Sequence, residues 1–247
     1  SSIAQGAGGK ASSERLTQEA ISVCAGVYRQ LAASNFRVRD VEQWYSIPVG
    51  DGVRAGGRVD RVDECGDLVR VIDYKTGGVD ADPDKYYAGV KLQLPLYLLA
   101  ASRGKRPAGA YYFPANIEFK DKEGGDFTLT GFMDNGEEVV KNSDKTLGEK
   151  QRSKYFDAYL NGRTLSGNLS EDDFRDFIDY SSLIAYRGAE EMFGGNITPS
   201  PYSGVCEYCK MGGMCGFAEG VDADGREVDG VTCADIARAV RKPKGEE

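Results

Sequence analysis

The sequence predicts an α/β fold: a mixed, largely antiparallel-centred sheet flanked by helices, followed by a cysteine-rich appendage. Three stretches carry that expectation. The first is Gly57-Arg58-Val59-Asp60-Arg61-Val62-Asp63, followed by the β-branched run Leu68-Val69-Arg70-Val71-Ile72 and closed by Gly77-Gly78. Glu64-Cys65-Gly66-Asp67 between them suits a hairpin turn, so the two strands should pair antiparallel. The second is the leucine-rich stretch from Val90 to Ser102, which reads as a helix packed on the sheet. The third is Gly109 to Phe119, whose Ala110, Tyr111, Tyr112 and Phe113 favour a strand that extends the sheet.

The remaining elements follow in order. Ser12 or Ser13 can cap a helix whose Leu16, Ala20, Val23, Cys24, Val27 and Leu31 keep helical spacing, with Cys24 a core thiol on that stripe. Phe36 to Pro48 reads as a strand bearing Val38, Val41 and Trp44, with Glu42 an exposed strand carboxylate rather than a metal ligand. Asp80 to Asp84 is an acidic turn. Pro95 fits only the first turn of a helix, which places the start of the leucine-rich helix near Leu92. Thr128 to Phe132 and Glu137 to Val140 read as short strands, and Gly148 to Leu160 as a helix. Ser170 and Asp173 resemble a capping box. The helix it opens carries Phe174, Phe177, Ile178, Ile184, Ala185, Ala189 and Met192, and ends at Gly194-Gly195. A short helix around Cys233 to Val240 precedes a basic–acidic tail.

A length of 247 residues with 40% hydrophobic content suits one large domain, or one domain with an appendage. The expected division is a linker over 1–11, a core over 12–200, a cysteine-rich segment over 201–217 and a tail over 218–247. Ser1 to Lys10 has no apolar core, so it is expected to be neither leader nor structure, and the missing initiator Met suggests an excised fragment. No apolar run reaches membrane-spanning length. The net charge of −8 is an awkward sign for a free-standing nucleic-acid binder. From Arg54 to Lys75, five basic residues meet five acidic ones, so no basic patch surrounds that stretch.

That stretch nevertheless holds the best candidate chemistry. Antiparallel pairing lets Asp60 and Asp73 converge at one end of the ladder, and Lys75 points to the same face as Asp73. Two hard oxygen ligands and one ammonium suit Mg²⁺-assisted phosphodiester hydrolysis. An isolated Asp-x-Lys is ordinarily a solvated strand face, so the weight falls on the wider pattern. Gln93 and Tyr97, at i and i+4, stand one above the other on their helix. A second candidate is the C-x₂-C-x₅-C run of Cys206, Cys209 and Cys215 in a glycine-rich loop, soft ligands for zinc or iron–sulfur. Six cysteines in this length are too sparse for a disulfide framework, and the chain holds no His.

Gly57-x-x-Asp60, Asp73-Tyr74-Lys75-Thr76-Gly77 and Gln93-x₃-Tyr97 together resemble the RecB-like branch of the PD-(D/E)xK nucleases. Adding Leu92-Gln93-Leu94-x-x-Tyr97-Leu98, the Pro107 to Phe113 strand and Cys206-x-Tyr208-Cys209-x₅-Cys215-Gly216-Phe217, the stretch from about Trp44 to Phe217 is similar to the nuclease domain of AddB (RexB) proteins. The resemblance implies a restriction-endonuclease-like core and metal-dependent DNA exonuclease activity in double-strand-break repair and recombination. It implies that Asp60, Asp73 and the Tyr74 carbonyl bind Mg²⁺ or Mn²⁺, that Lys75 positions the attacking water, and that Gln93 and Tyr97 support the site. It further implies that Cys206, Cys209 and Cys215 join a distant upstream cysteine on a [4Fe–4S] cluster in the full-length parent. Cys24, Cys65 and Cys233 do not match that fourth position, so the cluster is expected to be incomplete here and 201–217 mobile or cluster-free. Implied partners are DNA strand ends, read with little base specificity, and an AddA-like helicase–nuclease protein, with ATP used only through other domains. No membrane is involved, and the expected location is cytoplasmic. Three other readings share these features: a catalytically decayed module that binds DNA ends or a partner, a Cas-type or replication-type nuclease of the same branch, and a zinc-stapled scaffold without catalysis. The complete Asp/Asp/Lys set argues against decay.

Overall fold

A computed structural model describes residues 7–78, 80–115, 127–148, 151–156, 158–161, 164–166 and 169–241. The elements are α1 (Ala7–Ala32), β1 (Arg37–Gly50), β2 (Val53–Cys65), β3 (Leu68–Lys75), α2 (Pro83–Tyr87), α3 (Gln93–Ser102), β4 (Arg106–Pro114) and β5 (Thr130–Met133). Then come α4 (Glu137–Ser143), β6 (Gln151–Arg152), β7 (Tyr159–Asn161), β8 (Thr164–Ser166), α5 (Glu171–Phe193), α6 (Gly212–Cys215) and α7 (Cys233–Arg241).

Five strands form one sheet in the order β1-β2-β3-β4-β5, antiparallel except for the parallel β3–β4 pair. Parallel neighbours need a crossover, and α2 with α3 supplies it. One sheet face packs Val62, Val69 and Val71 against Leu94 and Leu98 of α3, Phe174, Phe177 and Ile178 of α5, and Ile236 of α7. The other packs Leu68, Ile72, Tyr111 and Phe113 with Phe36, Met133, Val139, Val140 and Phe156. A mixed sheet with helices on it is the α/β arrangement that the sequence predicts, and it is consistent with a restriction-endonuclease-like fold.

Local signals act where expected. Cys65 pairs with Leu68 across a tight turn in which Gly66 takes φ +60°, a left-handed backbone that glycine adopts without strain. The α3 helix starts after Leu92 and keeps Pro95 in its first turn, where no intrahelical N–H is needed. Ser170 Oγ accepts the Asp173 N–H at 3.1 Å to cap α5, and Asp82 does the same for α2 ahead of Pro83.

Other expectations fail for physical reasons. The α1 helix begins at Ala7, inside the stretch assigned to a linker, and runs through Gly8 and Gly9 despite their low helix propensity. Its inward face runs through Val23, Gly26, Val27 and Gln30, so Cys24, one step round from Val23, is exposed rather than core. Glu137 to Val140 is helix α4, not a strand: Glu137 and Glu138 favour the positive end of the helix dipole, while Val139 and Val140 turn inward. Gly148 to Leu160 is not a helix either. Its described residues form β6 and part of β7 around buried Phe156, as the aromatic-rich sequence favours. The expected strand end at 116–119, residues 1–6 and the tail over 242–247 lie outside the described residues. Within the stretch assigned to a tail, the short helix expected around Cys233 to Val240 is present as α7, which packs on the core with Arg241 bound to Asp173 and Asp176 of α5.

Beneath the second face lies an ionic core. The Asp63 side chain is wholly buried and meets Arg61 (Nε–Oδ1 3.0 Å) and Arg70 (Nη2–Oδ2 2.9 Å), whose side chains are 3% and 1% exposed. Arg70 also stacks 4.3 Å from the Phe36 ring centre. Replacing Asp63 with Ala would leave two guanidiniums buried without an anion. Asp63→Ala should therefore cost about 3–5 kcal/mol of unfolding free energy in urea, and a loss below about 1 kcal/mol would contradict this account.

Candidate active site

The β2–β3 ladder ends at the pair Arg61↔Ile72, which sets Asp60 across from Asp73 just beyond the last paired residues. The strands part there, and side chain replaces ladder: Asp60 Oδ2 accepts the Tyr74 backbone N–H at 2.8 Å. Lys75 Nζ lies 2.6 Å from Asp73 Oδ2 as an ion pair. Asp73 is nearly buried (6% exposed), whereas Lys75 is 40% exposed and opens the site to solvent.

Burial pushes the Asp73 carboxyl above its ordinary value, Lys75 pulls it back, and the charge of Asp60 adds to the rise. Lys75 loses hydration, which lowers its value, yet the ion pair with Asp73 lifts it above the ordinary range. The resting site is therefore a carboxylate pair in which one member resists ionisation, held by a fully charged ammonium.

Gln93, at the start of α3, reaches Asp73 Oδ1 at 3.4 Å, a long contact. Tyr97 meets a different part of the site. A Cβ on Gly57 would lie 2.2 Å from Tyr97 Oη, so glycine three residues before Asp60 is what lets α3 lie against β2. Glu42 is exposed, as expected, and its Oε2 lies 3.6 Å from Arg58 Nη1. The flanking pairs Val41↔Arg61 and Gln43↔Val59 put it across from Asp60, with a left-handed φ of +51° that is costly for a non-glycine residue.

Two contributors escape the sequence reading. Tyr112 is the parallel partner of Asp73, and its ring centre lies 5.7 Å from Lys75 Nζ. Arg61 donates to Tyr74 Oη at 2.7 Å. Neither is signalled locally, because both depend on how β2, β3 and β4 align.

Among the described residues, no three His, Cys, Asp or Glu side chains gather as a metal-holding group. The Asp60–Asp73 pair nevertheless fits a hard divalent cation. Asp73 Oδ2 is buried and faces the Lys75 ammonium at 2.6 Å, and a carboxylate oxygen has lone pairs for more than one partner, so it retains acceptor capacity for a cation. Two carboxylates and the neighbouring Tyr74 carbonyl are the oxygen donors that Mg²⁺ or Mn²⁺ takes, with water completing the shell.

The cysteine loop fits its expected centre less well. Cys206 lies on a 3₁₀ turn (Val205–Tyr208), Cys209 follows it, and Cys215 ends α6. All three are free, and the latter two are exposed. Lost hydration raises the Cys206 thiol, and Glu219, Cys209 and Cys215 add to the rise. Three thiols are one short of the set a closed cluster or zinc site takes. Cys24, Cys65 and Cys233 sit on α1, at the end of β2 and on α7. The lobe closes on its own backbone instead, through Ser203 N–H to Arg226 O (3.0 Å) and Arg226 N–H to Pro201 O (2.8 Å).

The sequence profile described as "PD-(D/E)XK nuclease superfamily" matches residues 4–216. The chain is 30% identical over 200 residues to the B subunit of an ATP-dependent helicase/deoxyribonuclease from Caldanaerobacter subterraneus subsp. tengcongensis, covering 68% of this chain and 17% of that protein. It is 28% identical over 233 residues to the same B subunit from Symbiobacterium thermophilum, covering 81% of this chain and 20% of that protein. The B subunit from Natranaerobius thermophilus is 28% identical over 200 residues, covering 67% of this chain and 16% of that protein. The chain thus spans a fifth or less of the length of these relatives.

The electrostatics of the pair give a signed expectation. Asp73 should titrate above its ordinary value of 3.8 in carbon-detected carboxyl NMR. Because the folded value is the higher one, the stability Asp73 contributes is present below 3.8 and lost as pH rises through the raised value. Asp60→Asn should lower that midpoint and Lys75→Met should raise it. Shifts of the same sign in both variants would contradict the assignment.

Proposed function

The chain belongs to the PD-(D/E)XK nuclease superfamily, and from that premise we propose that it hydrolyses DNA phosphodiester bonds at the Asp60–Asp73–Lys75 site. The observation that carries the reading is the convergence of the two carboxylates where β2 and β3 part, with Lys75 ion-paired to Asp73 at 2.6 Å on the open side. Asp60, Asp73 and the Tyr74 carbonyl hold Mg²⁺ or Mn²⁺. When bound, the cation polarises the scissile phosphate and acidifies a water. Lys75 orients the attacking water and offsets the charge that develops on the phosphate as the bond to the leaving oxygen breaks. Tyr112 limits where the ammonium can swing, and Gln93 steadies Asp73. Tyr97 fixes the distance between α3 and β2.

The relatives are helicase/deoxyribonuclease proteins, which supports a finer reading: exonuclease action within a helicase–nuclease, in break repair and recombination. The core over 12–200 would then receive strand ends from an AddA-like partner, and ATP would act only through other domains. Phosphate contacts carry no base information, so little sequence preference is expected of this site. Cys206, Cys209 and Cys215 would supply three ligands of a [4Fe–4S] centre over 201–217, with a fourth that is none of Cys24, Cys65 and Cys233. The setting would be cytoplasmic. Among the described residues, no helix is long and apolar enough to cross a membrane.

End-labelled duplex and single-stranded DNA, incubated with Mg²⁺, test the central claim. Asp73→Ala and Lys75→Ala should each reduce cleavage by about 100-fold or more while circular dichroism stays that of the wild type. Turnover within a few-fold of wild type in either variant would refute the roles. A folded wild-type chain that binds DNA but does not cut it would be a binding module instead. Binding itself should be weak for a chain of net charge −8 and should weaken further with salt in fluorescence anisotropy.

A further inference from the structure

We infer that Arg61 is a positioning residue of the metal site, acting through Tyr74 from the back of the sheet; this rests on the reading of Asp60 and Asp73 as the metal-binding pair. Successive strand residues point to opposite faces, so Arg61 stands behind Asp60 and Tyr74 behind Asp73. The contacts agree. Asp73 meets Gln93 of α3 on one side, while Arg61 meets Gln30 of α1 on the other.

Tyr74 links the two carboxylates. Its N–H donates to Asp60 Oδ2 at 2.8 Å, and its own carbonyl is the third proposed ligand. Its peptide unit therefore sets how Asp60 and Asp73 face each other. The ring of Tyr74 is held in turn: Oη accepts from Arg61 Nη1 at 2.7 Å, and the ring centre lies 5.1 Å from that of Phe113.

Arg61 has little freedom of its own. Nη2 donates to Gln30 Oε1 at 2.6 Å and to Asp63 Oδ2 at 3.1 Å, and Nε sits 3.0 Å from Asp63 Oδ1. A planar fork can meet Gln30, Asp63 and Tyr74 at once, and a lysine ammonium cannot. Helix α1, the buried carboxylate and the Tyr74 ring thus form one rigid support that touches neither metal nor DNA. Losing a group that orients a ligand typically weakens metal binding by about 10–100-fold.

A purely structural Arg61 would predict something else. Tyr74→Phe removes one hydroxyl and leaves the contacts of Arg61 with Gln30 and Asp63 intact, so it would change stability slightly and metal affinity not at all. The test is Mn²⁺ titration of the full chain by calorimetry for wild type, Tyr74→Phe, Arg61→Lys and the double variant, with cleavage measured as a function of Mn²⁺. Each single variant should weaken Mn²⁺ binding about 10-fold, with the double variant no weaker than Arg61→Lys alone. Each single variant should also need correspondingly more Mn²⁺ to reach half of its own maximal cleavage. Unchanged Mn²⁺ affinity in Tyr74→Phe overturns the inference even if Arg61→Lys fails to fold. So do effects that multiply in the double variant. If the wild type binds Mn²⁺ and cuts no DNA while both variants bind more weakly, the nuclease reading falls and the positioning role stands. Wild-type cutting with unchanged variants has the opposite meaning.

Discussion

Asp63 is the interaction on which the rest of the sheet depends. One buried carboxylate holds two buried guanidiniums, Arg61 from its own strand and Arg70 from the next. Charges so deep cannot shift register cheaply, since a slip of one residue would bury them without their partner. The same lock therefore fixes Asp63 opposite Arg70 and, two rungs along, Arg61 opposite Ile72. Asp60 and Asp73 inherit their alignment from it. An apolar pair in those positions would tolerate slippage better and define the site less well.

Two opposed demands meet at the end of that ladder. A carboxylate that is to bind a cation must be ionised, yet burial resists ionisation, and the Asp60 charge resists it again in Asp73. The fold answers with Lys75, close to Asp73 but open to water, so that its own hydration is only partly lost. Tyr112 beneath the ammonium and Gln93 at the mouth of α3 complete a setting of one buried anion beside one exposed cation. Such a setting leaves the exposed ammonium on the open side of a nearly buried carboxylate.

What could be read from the sequence was what local chemistry decides. Gly66 in its turn, Pro95 in the first turn of α3 and Ser170 ahead of Asp173 each act within a few residues, and all three are where the sequence puts them. The gathering of Asp60, Asp73 and Lys75 was also legible, because a short hairpin brings them together. Arg61 and Tyr112 were not. Their importance appears only when β3 pairs parallel with β4 and α1 comes to rest on the sheet, which no spacing in the sequence reveals. Cys24 misled for the complementary reason: a helical stripe gives a period, not which edge of it turns inward. In α4, helix-favouring acidic residues outweighed the two valines that suggested a strand.

The packing of α7 on α5 has a consequence for how this chain can change over evolutionary time. Both helices belong to the same apolar cluster, so the excursion between them, from Gly194 to Thr232, leaves the core at α5 and returns at α7, held near its end by Arg226 on the Ala88 carbonyl and by the Gly230 and Val231 N–H groups on the Asp84 carboxylate. Once its ends are fixed, doubling the length of such an excursion adds only about 0.6 kcal/mol of closure entropy. Insertions, deletions and new ligand sets can accumulate in the cysteine lobe while the sheet is left undisturbed. The lobe is thus a compartment where novelty is cheap, grafted onto a scaffold where a single buried charge makes novelty expensive.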